Sequence, residues 1–147
     1  MTDVTEARAT RLEHLGEIEC WSILADSPLG RLATSRGDRI ELLPVNHAVD
    51  RHRLVLRTEA GGWLHRSADG RELVFEVDGW DEHSAWSVVV HGTGRPLELP
   101  EEVGRAAGLG IQAWAPIESD LFVELEPTSV TGRRIARHHR GEAPWYW

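Results

Sequence analysis

Arg57 and Thr58 end the apolar run Leu54-Val55-Leu56 and stand just ahead of Gly61-Gly62. A guanidinium and a hydroxyl at the mouth of a glycine-containing loop, whose backbone N–H groups are open to approach, have the chemistry to close around an oxyanion such as a phosphate. The preceding run, Ile40 to Val49, contains Pro44-Val45-Asn46-His47. Proline donates no ladder hydrogen bond, so Pro44 belongs at an edge, a bulge or a place where pairing is interrupted. Main chain left open there gives a flat ligand a surface to lie along.

Those residues need a rigid frame, and the pattern around them is that of a β-hairpin. Two β-rich runs are joined by the polar break Asp50-Arg51-His52, which makes the stretch from Arg39 to Leu64 the centre of the chain. Ahead of it, Ile18, Trp21 and Ala25 recur at helical spacing, so a short amphipathic helix is predicted over Gly16 to Ala25, ended by Pro28-Leu29-Gly30. Arg31 to Ser35 reads as a first strand, and Arg36-Gly37-Asp38 as the turn into the hairpin. After a polar stretch closing at Asp69-Gly70, Leu73, Phe75 and Val77 alternate with Glu76 and Asp78, the mark of a half-buried strand. Trp86 to Val90 is apolar on both faces and continues to Pro96, with Gly92 and Gly94 signalling a bulge or bend. Pro100, Glu101 and Glu102 open a helix that Gly108 or Gly110 closes, and strands are expected at Leu121 to Leu125 and at Thr128 to Ile135. Strands without regular alternating helices give a mainly β fold, an antiparallel split β-barrel of about six or seven strands with short flanking helices.

Composition narrows the function. At 147 residues, one domain over 1–147 is expected, with 1–11 flexible and 136–147, ending in Trp145-Tyr146-Trp147, packed on the barrel or a partner. The net charge of −8 argues against a general nucleic-acid binder, and every basic charge is arginine. No apolar run is long enough to span a bilayer, and the lone Cys20 fits a reducing compartment, so a soluble cytoplasmic protein is expected. The eight histidines form no metal-ligand spacing, since His47 and His52 flank a turn and His138 and His139 are adjacent. No metal site, nucleophile elbow or Cys-His pair is predicted, and no side chain stands out as catalytic.

In order along the chain, Pro44-Val45-Asn46, Arg57-Thr58, the Gly62-Trp63-Leu64 step, Phe75-Glu76-Val77-Asp78 and Trp86-Ser87-Val88-Val89-Val90 resemble the pyridoxamine 5′-phosphate oxidase-like family of FMN-binding split barrels, most closely its short actinobacterial-type members. The resemblance runs from about Leu15 to Ile135. It implies FMN held noncovalently at the interface of a homodimer, and hydride or electron transfer with a small conjugated substrate. It places the phosphate on Arg57 and Thr58 beside Gly62, Trp63 and Leu64, and the ring along the backbone of Pro44, Val45, Asn46 and His47. Trp86 and Ser87 of the second subunit would complete the site.

One position departs from that family's pattern. Lysine often precedes the leucine of the Gly-x-Leu step, and here the residue is Trp63. Losing one charge-assisted bond to a phosphate weakens binding by roughly 1.5 to 3 kcal/mol, so Arg66 or Arg31 is expected to reach the anion instead. The alternatives to an FMN enzyme are a non-enzymatic dimeric barrel plugged by Trp63 or the aromatic tail, and a barrel that binds deazaflavin F420 or haem.

Overall fold

The computed structural model describes residues 12–58, 62–112 and 121–136. The elements run β1 (Leu12–Leu15), α1 (Glu17–Asp26), β2 (Leu29–Arg36), β3 (Arg39–Asp50), β4 (Arg53–Thr58), α2 (Trp63–Ser67), β5 (Glu72–Trp80), β6 (Ser84–Leu97), α3 (Pro100–Ala107) and β7 (Leu121–Ala136). Every strand pairing is antiparallel. The order β7-β4-β3-β2-β5-β6 closes on itself through a β6–β7 ladder, while β1 extends the sheet along the far half of β7. This is the split barrel. The first half of β7 pairs with β4, and the second half pairs with β1 from Gly132 to Ile135.

Alternation sorts the side chains between the two faces. Leu32, Leu54, Leu56, Phe75, Val77, Val88, Val90, Val123 and Leu125 fill the interior, and Cys20, Trp21 and Leu24 of α1 cap it. Each of the larger side chains contributes roughly 1.5 to 3 kcal/mol by leaving water. A second cluster lies outside the barrel, where Val55 and Phe122 meet Leu97, Ala106 of α3 and Ile111. Arg134 ties the cap to the barrel by pairing with Glu19 at 2.7 Å.

Three features differ from the sequence-based expectation. The strand Leu12–Leu15 was not expected, because four residues carry no readable period. The polar stretch after Gly62 holds a short helix, α2. The two strands expected on either side of Pro127 are one 16-residue strand. Pro127 is tolerated because the β6–β7 register shifts there, from Gly92↔Pro127 to His91↔Ser129, leaving Thr128 as the extra residue of a bulge. Finally, the expected tail contact of Trp145-Tyr146-Trp147 and the flexibility of 1–11 lie outside the described residues.

Candidate functional site

The site follows from where β3 and β4 part. Among the described residues their ladder runs from Asp50↔Arg53 to Asn46↔Arg57 and ends there. β3 nevertheless continues back to Arg39 along β2, with Pro44 opposite Arg31. One edge of Leu43-Pro44-Val45 therefore faces a gap instead of a partner strand. A proline fits this position, since the side where pairing stops asks for no N–H.

The gap is a cavity of about 320 Å³, lined by Arg36, Leu43, Pro44, Val45, Arg57, Thr58, Gly62, Trp63, Leu64 and Arg66. That volume is at the lower end of the range for small-molecule sites. Three guanidinium groups and no carboxylate occur among those ten residues. The wall is apolar along β3 and cationic elsewhere, which suits a ligand with a flat apolar part and an anionic part.

Each cation arrives by a different route. Arg57 lies on the outer phase of β4 with Val55, and its Nη1 donates to the Ile111 carbonyl at 2.9 Å while the guanidinium sits 6.0 Å from the Phe122 ring. Arg66 is carried by α2, whose first turn is closed by its backbone N–H donating to the Gly62 carbonyl at 2.8 Å. Gly62 has φ +57°, a left-handed conformation that glycine adopts without penalty, and it stands at the N-cap of that helix. Arg36 ends β2 in the phase of Leu32 and Thr34, which point into the barrel, so its side chain emerges at the barrel mouth. There its guanidinium carbon is 4.5 Å from the centre of the Trp63 ring.

Eight of the residues singled out by sequence thus converge on one cavity: Pro44, Val45, Arg57, Thr58, Gly62, Trp63, Leu64 and Arg66, the last as one of the two expected substitute cations. Thr58 is buried and its hydroxyl donates to the Leu121 carbonyl at 3.0 Å, so its hydrogen is committed to β7. Asn46 and His47 are not among the lining residues. The Asn46 amide donates to the Pro28 carbonyl at 3.2 Å, and His47 turns into the core, with Nε2 2.8 Å from the Leu24 carbonyl and its ring edge-on to Phe75. Trp86 and Ser87 lie on β6, paired with Gly79 and Asp78 of β5, and are not part of this cavity within one chain. Arg31, expected as a substitute cation, faces the outer surface and pairs with Asp78 at 2.6 Å and Glu76 at 3.4 Å. Arg36 takes the place in the wall that Arg31 does not reach. Its signal was the inward phase of β2, legible once the strand is extended by one residue beyond Ser35.

Trp63 forms part of the wall and packs against the barrel core, and the cavity persists beside it. The indole is therefore a side of the pocket and does not fill it.

The comparisons agree with this architecture. The model of the family described as pyridoxamine 5′-phosphate oxidase matches residues 17–134. A protein of Mycobacterium tuberculosis, uncharacterized protein Rv0080, is 32% identical over 139 residues, covering 90% of this chain and 91% of its own. Among solved structures, a candidate pyridoxamine 5′-phosphate oxidase from Corynebacterium glutamicum superposes with a TM-score of 0.79 at 30% identity, over 86% of this chain and 99% of that one. The FAD binding protein from Mycobacterium smegmatis follows with a TM-score of 0.74 at 28% identity, over 86% and 100%. A split barrel whose strands, loop and arginines fall in this order, matched over most of its length, belongs to the pyridoxamine 5′-phosphate oxidase family.

Proposed function

We propose that the chain is a cytoplasmic flavin-dependent oxidoreductase that binds a flavin nucleotide in the β3–β4 cavity and acts as a homodimer on a small conjugated substrate. The observation that carries this reading is the pairing, in one cavity, of open β3 main chain at Leu43 to Val45 with three guanidinium groups and no acid among its described lining residues. That donor set fits a flavin nucleotide, whose ring is flat and largely apolar and whose ribityl chain ends in phosphate. Arg57 and Arg66 would hold the phosphate, and Pro44 and Val45 would lie along the ring. Similarity to an FAD-binding protein supports the flavin class, and FMN is the form the sequence resemblance implies.

A bound flavin supplies hydride or electron transfer at its ring, and the protein supplies position, charge and exclusion of water. Within one chain the cavity is small for a whole nucleotide, most of which a small-molecule site usually buries. A second copy would close it. The outer phase of β3 supports that: Ile40 and Leu42 are 82% and 65% exposed, and they continue directly into Pro44 at the cavity. An apolar row of this kind beside a ligand site is a natural dimer contact, and Trp86 and Ser87 of the second copy are the residues proposed to complete the site.

Titrating the purified full-length protein with FMN and FAD, followed by flavin absorbance and fluorescence, tests the reading. Saturable binding with a perturbed flavin spectrum is expected. Absence of binding to both nucleotides at large excess overturns it.

A further inference from the structure

We propose that Arg36 and Trp63 act as one anion-binding unit, in which the Arg36 guanidinium is the cavity's replacement for the ammonium missing from the 62–64 step and Trp63 is its positioning residue. The proposal rests on the cavity being a phosphate seat, and its test separates the two claims.

Three observations meet at this pair. Both residues line the cavity, from opposite ends of the fold's central region. Arg36 is set by the β2–β3 hairpin, where it pairs with Arg39 across a turn that Gly37 makes at φ +63°. Trp63 is the first residue of α2 and is anchored by its packing on the barrel core. The indole is thus the fixed partner, and the long arginine side chain is the one it orients. The guanidinium carbon at 4.5 Å from the ring centre is well inside the reach of a cation–π contact, and tryptophan offers the strongest aromatic face for it.

The donor geometry of a guanidinium decides what such a contact leaves available. A guanidinium resting its face on an indole keeps its N–H donors in plane around its edge, where two can meet two oxygens of one phosphate. An ammonium would have no face to stack and no fork to present. The surface arginines Arg31, Arg53, Arg95, Arg105 and Arg134 are each paired with carboxylates. The ion pairs among the described residues do not include Arg36, whose guanidinium lies over the Trp63 indole. Charge therefore reaches the anion from β2, guided by the indole at the position where the family pattern often has lysine.

The test measures dissociation constants of the full-length protein for FMN, for riboflavin, which lacks the phosphate, and for inorganic pyrophosphate. Arg36→Gln is expected to weaken FMN about tenfold or more and to leave riboflavin within about twofold. Trp63→Leu is expected to do the same, Trp63→Phe to keep FMN affinity within about threefold because it restores an aromatic face, and the double variant Arg36→Gln/Trp63→Leu to be no weaker than either alone. If Arg36→Gln leaves FMN binding unchanged while Arg66→Gln weakens it, the unit is refuted and the flavin reading stands. If the protein ignores FMN and FAD yet binds pyrophosphate in an Arg36-dependent way, the flavin reading falls and the unit stands. Binding of no anion at all overturns both.

Discussion

His47 Nε2 lies 2.8 Å from the carbonyl oxygen of Leu24, joining β3 to the cap helix α1 inside the barrel. A carbonyl only accepts, so Nε2 carries the hydrogen and Nδ1 is the bare nitrogen. Nδ1 is buried and makes no hydrogen bond, in a residue that is 6% exposed. Burial pushes the His47 pKa below its usual value, more strongly than the bond to Leu24 raises it.

The sign of the pH effect follows. The unfolded chain takes up a proton at this histidine near its usual value of about 6.5, and the folded chain resists it. Stability from His47 is complete above that pH and declines as the pH falls through it toward the lower folded value. His47→Gln keeps a donor for Leu24 and removes the titration. Its loss of thermal midpoint between pH 7.5 and pH 5 is expected to be smaller than that of the wild type. Equal losses in the two proteins would remove His47 from the account.

Glu76 works in the opposite direction. Its pKa is pushed up to about 7, first by burial, then by the hydrogen bond its protonated form donates to Asp78 and by the negative charge of Asp78, with Arg31 pulling it back. The folded protein therefore retains a proton that the unfolded chain releases near its ordinary carboxylate value, so this carboxyl costs stability as the pH rises from there through 7. Glu76→Gln is expected to be more stable than the wild type at pH 8 and to lose that advantage at pH 5, read by urea unfolding at both. Arg31 keeps its 2.6 Å partner Asp78 in the variant and loses only its 3.4 Å contact with the Glu76 carboxylate. Below the usual histidine value the two groups therefore act in opposite directions, and above about 7 neither adds a further pH dependence.

Local chemistry explains which parts of the fold were legible. The β3–β4 hairpin showed itself through the polar break at Asp50-Arg51-His52, although Arg51 and His52 both adopt positive φ, 54° and 56°, a turn in which glycine or asparagine would be more usual. The α3 start was visible because Pro100, Glu101 and Glu102 each suit a helix N-terminus. β1 was hidden, since its reason to be a strand is a ladder with Gly132 to Ile135 at the other end of the chain. The cavity-lining run at Pro44-Val45 and Arg57-Thr58 could be read from residue types in one hairpin. Arg36 needed the true end of β2, one residue beyond Ser35, before its inward phase could be read, and its contact with Trp63 joins positions far apart in the chain. His47 entered through its main chain, as the resemblance implies, and the side chain's place in the core against Leu24 and Phe75 follows from the pleat.

The proposed dimer makes a prediction that leaves the monomer's core untouched. Leu42 is 65% exposed on the outer phase of β3, so Leu42→Glu is expected to change monomer stability by less than about 0.5 kcal/mol. Burying its carboxylate against a second copy would be strongly unfavourable. Sedimentation of the wild type is expected to show a dimer and that of Leu42→Glu a monomer, with weaker FMN binding in the variant. A dimer that survives the substitution places the contact on another face.

The β6–β7 bulge is the point where the long strands turn to close the barrel, and Gly92 is what lets them approach. A Cβ built on Gly92 would lie 2.2 Å from the backbone oxygen of Glu126 and 2.5 Å from Leu125 Cδ2. The oxygen belongs to the opposing ladder, so relief requires moving a strand and not a side chain. Gly92→Ala is therefore expected to destabilise by about 1 to 3 kcal/mol, the range for overpacking a tight site. Gly16→Ala is the matched control, because a Cβ there meets nothing within 4 Å and the backbone has φ −72°, which alanine adopts freely. Urea unfolding of both variants reads the difference directly: a Gly92→Ala midpoint equal to that of Gly16→Ala would mean that the register shift at His91/Gly92 does not depend on close approach of the two backbones.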